Sequence, residues 1–427
     1  MIRYCAPQLL QPGHPLHGKA VDVTVEGGRI VAIQPASGKA AAGSDVDLAG
    51  QWISAGWWDG QVDFRDPGTE RAEGLERGLA AAAQGGFTRV APVASTVPCR
   101  DQPSEVLALL HRTAAAVCGI IPVAALSVGA KGQQLSEAFA LKDAGVRAFS
   151  DDGPIERPEL LRRALEYHQP SGLPVFSAAH DPHFQPDGVM HEGAMSTALG
   201  LAGTSGESEV LRIGRELDIL QYTGGRLHFP IITTAAGLQA VLAAKGRGLK
   251  VTCGTTVHHL CWTNEDLDGF NSDLKLTPPL RTREDRDALR TAALNGGLDV
   301  IVSDHRPRTP EEHDVDFLVV APGIAGIHAV GPALIGALSD HGASSEEVLR
   351  ALHTVLVSGP RSLFGAEDHN LGLLEGKPAE FTVFSPDSGT LPTSQSKAPN
   401  TVYSAESPQL KGGVSGVVTA QGSHWNH

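Results

Sequence analysis

The sequence predicts an α/β fold: a (β/α)8 TIM-like barrel over residues 56–374, joined to a small β domain made from residues 1–55 and 375–427. Three observations lead there. Eight short apolar runs alternate with amphipathic helical stretches through the middle of the chain. Both ends carry short strands of period two. The chain has 427 residues, 41% of them hydrophobic, enough for a barrel of about 250–320 residues and a satellite domain without help from disulfides.

At the N-terminal end, Val21, Val23 and Val25 alternate with polar neighbours. Gly27-Gly28 then supplies a turn, and Arg29 to Ile33 continues as a second strand, the pattern of a hairpin. The eight apolar runs are Trp57–Val62, Thr88–Val93, Ile120–Ala125, Arg147–Phe149, Pro174–Phe176, Leu227–Ile231, Leu249–Cys253 and Asp299–Val302. Helical periodicity lies between them at Glu70–Ala83, Ser104–Ala116, Glu159–Tyr167, Glu207–Leu220, Ala235–Lys245 and Arg283–Leu294. An open doubly wound sheet is the competing arrangement. Beyond the barrel, Phe381–Phe384 and Gly413–Ala420 read as strands. Ser385–Asn400, rich in Ser, Pro and Thr, reads as a surface loop.

Composition narrows the classes of function. The formal net charge of −14 argues against nucleic acid and anionic membranes as partners. No stretch reaches the roughly 18 apolar residues of a membrane helix, and Met1 to Leu10 holds no apolar run of signal-peptide length. Five cysteines without close spacing suit reduced thiols. A cytoplasmic location is therefore expected.

Barrel chemistry sits at the C-terminal ends of the strands. The first strand runs into Asp59-Gly60-Gln61-Val62-Asp63-Phe64-Arg65-Asp66-Pro67-Gly68. Later strands end at Ser150-Asp151-Asp152-Gly153, at Ser177-Ala178-Ala179-His180-Asp181 and at Ser303-Asp304-His305. Gly188–Gly193, Leu227–Ile231, Val257-His258-His259-Leu260, Pro278-Pro279-Leu280-Arg281 and Ala321–Ile324 complete the set. Together these segments resemble the dihydroorotases, the pyrimidine-pathway members of the amidohydrolase superfamily, over nearly the whole chain. Asp59, Arg65, Pro67 and Gly68 fit the family's opening motif without a gap.

The resemblance also shows what is missing. It implies zinc held by four histidines and by carboxylates. Gln61, Asp63, Ala178 and Ile231 stand at the histidine positions. The surviving carboxylates are Asp304 and either Asp151 or Asp152. Gln is a poor zinc ligand, and Ala and Ile are none. At the substrate-binding positions implied by the family, Arg65 is kept, while Ser95, Thr277 and Arg308 replace two asparagines and a histidine. The resemblance makes Asp304 the general base, inactive here for want of a metal-activated water. No cofactor is therefore expected.

Uncompensated Asp63, Asp151 and Asp304 would repel one another in a partly buried pocket. Arg306 or Arg308 is expected to turn into the mouth and supply the missing positive charge. A rebuilt ligand set of His180, His183, Asp63 and Asp181 is the alternative. The adjacent His258 and His259, on a strand end, would point opposite ways and be structural.

Some dihydroorotase-like proteins with erased metal sites serve as partners of aspartate carbamoyltransferase. The resemblance thus implies a structural partner of that enzyme, with a homo-oligomer also open. The rivals are an active cyclic-amide hydrolase with a rebuilt site, interconverting N-carbamoyl-aspartate and dihydroorotate, and a module that binds a carboxylate ligand through its arginines.

Overall fold

The computed structural model describes residues 1–38, 42–365, 372–389, 391 and 394–426. Residues 366–371 of the expected barrel stretch, and 390, 392 and 393 of the expected loop, lie outside them.

Eight parallel strands form the barrel. They are Trp57–Val62, Phe87–Pro92, a broken third strand, Ala148–Phe149, Val175–Phe176, Leu227–Phe229, Val251–Thr256 and Val300–Val302. The third splits into Gly119–Ile120, paired with the second strand, and Val123–Ala124, paired with the fourth. Pro122 lies at the break, where the chain has no N–H to give to a ladder. The ring closes where Val62 bridges His305 and the Asp63 amide donates to the His305 carbonyl at 2.8 Å. Closure excludes the open doubly wound sheet.

The expected helices form within a few residues of their periodic stretches, the largest difference being a later start for the first: Leu75–Gln84, Pro103–Arg112, Pro158–His168, Glu207–Thr223, Ala235–Gly246 and Arg283–Asn295. Each turns an apolar stripe to the strands. In Pro158–His168 that stripe is Leu160, Leu161, Ala164, Leu165 and His168. Three further helices, Ala138–Asp143, Val330–Asp340 and Ser345–Leu352, complete the outer layer.

Both chain ends build the β domain. The hairpin Val21–Glu26 with Arg29–Pro35 pairs antiparallel, and its first strand also pairs with Ile2–Cys5. A second sheet runs Gln8–Leu10, Trp52–Ala55, Glu380–Ser385, Gly413–Thr419, Gly422–Trp425. Tyr4, Leu9, Val23, Ile53, Phe381 and Val383 form a core of their own between these sheets.

The Ser385–Asn400 stretch is not simply a surface loop: Ser396, Ala398 and Asn400 are buried. Asn400 replaces lost water contacts with protein ones, its Nδ2 donating at 2.9 Å to the carbonyls of both Arg306 and Gly323. Among the described residues no helix is long and apolar enough to cross a membrane. All five cysteines are free thiols, four of them buried.

Candidate functional site

The first and eighth strands meet at the mouth of the barrel, and their ends carry the charged centre of the molecule. Gln61 and Asp63 are two residues apart on an extended chain, so their side chains share a face. Gln61 Nε2 donates to Asp304 Oδ1 at 2.8 Å. Two residues beyond Asp304, Arg306 returns across the opening. Its Nε donates to Asp304 Oδ1 at 3.0 Å, its Nη2 to Asp152 Oδ1 at 2.8 Å and its Nη1 to Asp152 Oδ2 at 3.2 Å. Asp63 Oδ2 stands 4.0 Å from the same guanidinium. One planar cation thus faces three carboxylates, two of them through hydrogen bonds, a geometry that a lysine ammonium would not reproduce.

The electrostatics follow from burial. Desolvation raises the Asp304 carboxyl above the usual aspartate range, and Arg306 and the Gln61 amide only partly offset it. For Arg306, burial alone would lower the pKa; the Asp152 and Asp304 charges outweigh it and hold the guanidinium protonated. The backbone is strained here as well. Arg65, Asp152 and Asp304 adopt φ of 60°, 56° and 43°, a left-handed region that non-glycine residues enter at a cost. That turn carries Asp152 into the mouth and leaves its neighbour outside.

The charge-replacement expectation therefore holds for Arg306 and fails for Arg308, whose guanidinium Nε donates to the Pro322 carbonyl at 3.0 Å. Partial burial first, and the Arg65 and Arg306 charges second, lower the Arg308 pKa; Arg308 lines the mouth but bonds a carbonyl rather than a carboxylate. Asp151 is not in the cluster. Its oxygens accept from the Ser127 amide at 2.9 Å and hydroxyl at 2.6 Å. Of the two candidate aspartates, Asp152 faces the opening.

The other expected residues divide. Gln61, Ala178, Ile231, Thr277 and Arg308 line a cavity of about 260 Å3. Ser95 reaches it only through its hydroxyl, which donates to Asp152 Oδ2 at 3.0 Å. Arg65 is held aside, its Nη2 on Glu312 Oε1 at 2.9 Å and its Nη1 3.8 Å from Asp63. The alternative set of His180, His183, Asp63 and Asp181 does not assemble: His183 is exposed and pairs with Glu156 at 3.4 Å. His180 lines the cavity, its Nδ1 without a protein partner. His258 and His259 lie on the helical turn Val257–Cys261 rather than a strand end. Both are buried and fixed structurally, His258 between the Tyr403 hydroxyl and the Ser303 carbonyl, His259 between Thr256 and the carbonyls of Pro278 and Pro279.

Sequence reading missed Glu312, which draws Arg65 away, and Asn400, whose Oδ1 accepts the Arg308 amide at 2.9 Å. Neither belongs to the motifs of the strand ends. The Thr309-to-Glu312 capping box was the one local signal that a helix starts there.

The donor set does not fit a zinc ion. Ala178 and Ile231 offer no lone pair. Gln61 presents its amide N–H groups, not its oxygen, to Asp304, and the Arg306 guanidinium bonds the carboxylates that a cation would need. Among the described residues no group of three or more His, Cys, Asp or Glu side chains is placed to hold a metal.

Residues 50–236 match the family model described as Dihydro-orotase-like. A dihydroorotase of Syntrophotalea carbinolica is 35% identical over 382 residues, covering 89% of this chain and 88% of its own. One from Anaeromyxobacter dehalogenans is 40% identical over 324 residues, covering 75% and 74%. Among solved structures, the L-hydantoinase (dihydropyrimidinase) from Arthrobacter aurescens superposes with a TM-score of 0.82 at 19% identity, covering 99% of this chain and 95% of that one. A D-hydantoinase from Thermus sp. gives 0.78 at 16%, with the same coverage. The structural likeness establishes the shared barrel fold.

Proposed function

The chain belongs to the dihydroorotase family, and from that membership we propose a dihydroorotase-like protein of pyrimidine biosynthesis that has lost metal-dependent catalysis and acts as a structural partner of aspartate carbamoyltransferase. The observation that carries the loss of catalysis is Arg306 among Asp304, Asp152 and Asp63. A guanidinium balances carboxylate charge, but it has no coordination position for a water and cannot bring a water's pKa near neutrality as zinc does. Asp304 Oδ1 already accepts from both Gln61 and Arg306. That leaves the family's general base engaged in structural bonds.

The partner role rests on the resemblance and on what was kept. Ile231 is buried at a former ligand position, and Asp59, His258, His259 and Arg281 remain fixed in the core. A barrel maintained in this way without its ligands suits a scaffold. The test is co-expression with the host's aspartate carbamoyltransferase, followed by size-exclusion chromatography with mass measurement. A stable complex, with carbamoyltransferase activity or solubility lost when this chain is omitted, is the expected result. Separate elution at micromolar concentration with full carbamoyltransferase activity overturns the partner role.

A further inference from the structure

We propose that an apolar knob of Phe270, Val315, Leu318 and Val319, on the mouth face of the barrel, docks a partner protein through an apolar recess bordered by lysine or arginine. The assignment rests on the partner role proposed above and supplies the surface that role requires. Phe270 lies between the strand Val251–Thr256 and the helix Arg283–Asn295; the other three follow the strand Val300–Val302. Segments that leave strand ends in this way stand on the mouth face. The rings of Phe270 and Phe317 meet edge-on at 6.2 Å and join the two segments. Phe317 and Val320 turn inward and are buried, while Leu318 and Val319 between them are 63% and 71% exposed. A single exposed apolar side chain is ordinary; several held out together on packed segments mark an interaction surface.

The knob stands on a fixed backbone. Lys275, itself buried, donates from Nζ to the Phe317 carbonyl at 2.7 Å and to the Leu318 carbonyl at 3.1 Å. The Gly323 amide donates to the Lys275 carbonyl at 2.9 Å, and His313 Nε2 meets Asp273 Oδ1 at 2.6 Å. Phe270 is held at φ 60°, a left-handed conformation that costs an aromatic residue free energy. Side chains presented on an already ordered segment lose less freedom on binding. The described residues that border the undescribed ones contact the β domain or the end of the helix Leu75–Gln84, not this face. Ala42 bonds Asp45, Leu373 bonds Gln11, Gly389 adjoins Gly413, and Gln395 and Asn426 bond Gln84.

Charge selects the occupant. Residues 264–274 and 309–323 together carry eight carboxylates and no lysine or arginine. Structure engages part of this set: Glu265 pairs with Arg283, Asp273 with His313, Glu311 with Arg71 and Glu312 with Arg65, and Asp266 accepts from the Thr263 amide. Asp268, Asp314 and Asp316 are left, exposed and without an ion pair among the described residues. They flank Phe270, Val315 and Phe317 directly in sequence or at one residue's remove. A second copy of this chain would set the same carboxylates against each other, and an anionic lipid surface would meet them with like charge; both are disfavoured. A surface with an apolar centre and a basic rim complements the knob in both respects.

The test uses the full-length chain with the host's aspartate carbamoyltransferase, the complex being read by size-exclusion chromatography with mass measurement and its Kd by isothermal titration. The wild-type complex is expected to weaken as NaCl rises from about 50 to about 300 mM, because screening removes the charge complementarity. Leu318→Lys with Val319→Lys is expected to weaken it by about tenfold or more. Tyr222→Lys, at another exposed side chain on the helix Glu207–Thr223, is expected to leave it unchanged. Far-UV circular dichroism checks folding; should the double variant not fold, Leu318→Ser carries the same comparison. A complex of unchanged affinity in the knob variants overturns this assignment and leaves the partner role standing. Absence of any complex with the wild-type chain overturns the partner role and this assignment with it. A dimer of this chain alone that Leu318→Lys dissolves overturns the choice of occupant.

Discussion

At the scale of single residues, what the barrel mouth tolerates is decided by three carboxylates and one guanidinium. Removing Arg306 leaves Asp304, Asp152 and Asp63 without their cation. Breaking such a pair from one side costs about 3–5 kcal/mol. Arg306→Ala is therefore expected to lose that much in urea denaturation at pH 7, and less at a lower pH, because burial already raises the Asp304 carboxyl and protonation relieves its unpaired charge. Equal losses at both pH values would contradict the charge account. Asp59 makes a second case. It is fully buried, and desolvation raises its pKa to about 7 despite bonds from the Ser303 and Gln61 amides. A carboxyl that holds its proton more tightly folded than unfolded contributes stability below its unfolded pKa and loses it as pH rises through the folded value. Relative to wild type, Asp59→Asn is expected to gain about 2–3 kcal/mol between pH 5 and pH 8, measured by denaturant titration at each pH. The sequence placed Gln61, Ala178 and Ile231 at strand ends inside motifs of fixed spacing, and all three line one cavity. It could not separate Asp151 from Asp152, since a left-handed φ at Asp152 decides which one faces the mouth. Nor could it show that Arg308 would meet a carbonyl, which depends on the distant Pro322 loop.

Among the elements, those with strong periodicity were legible and those lacking it were not. Pro158–His168 and Arg283–Asn295 show apolar stripes, and the latter opens on the Thr282-to-Asp285 capping box. Val330–Asp340 is buried on nearly every face, so it has no polar side to mark a helical period. Ser345–Leu352 did carry a sequence signal, the Ser344-to-Glu347 capping box. The Ser385–Asn400 stretch is a loop with exposed residues such as Asp387, Lys397 and Pro399, but polar composition is only a correlate of exposure and did not mark the alternately buried Ser396, Ala398 and Asn400. Asn400 alone holds the Arg306 and Gly323 carbonyls and the Arg308 amide. Asn400→Ala leaves the buried Gly323 carbonyl unpaired, an expected cost of about 1–3 kcal/mol, and frees the part-buried Arg306 carbonyl and Arg308 amide to water. Hydrogen exchange is expected to speed at Arg308 while the amides of the strand Val251–Thr256 stay protected. Uniform acceleration across both would show that Asn400 acts on global stability rather than on this loop.

At the scale of the whole molecule, the eight alternating runs alone leave an open doubly wound sheet in competition; the motifs at the strand ends favour the barrel, and the closure between Val62 and His305 decides it. The β domain followed from alternation at both termini. Stability at this scale is expected to depend on buried histidines. Burial lowers His228, His258 and His328 to about 3, and His168 and His259 to about 4. A histidine depressed in the folded state stabilises while neutral; the unfolded chain takes up protons first as pH falls below about 6.5, and stability is lost. With His180, His191 and His353, lowered by burial as well, these groups outnumber the buried carboxyls of opposite sign, Asp59, Asp151, Glu216 and Asp304. Tm is therefore expected to fall steadily from pH 7 to pH 5, and a Tm that rises over that interval would contradict the assignment. The central claim, that Arg306 stands where the family's metal chemistry would need a cation with an open coordination position, is tested most directly by dihydroorotate turnover. The measurement uses protein purified away from the host enzyme and titrated with zinc. No turnover above background at any zinc concentration is the expected result. A zinc-dependent turnover on the order of 1 s⁻¹ or more, abolished by Asp304→Asn, would contradict it.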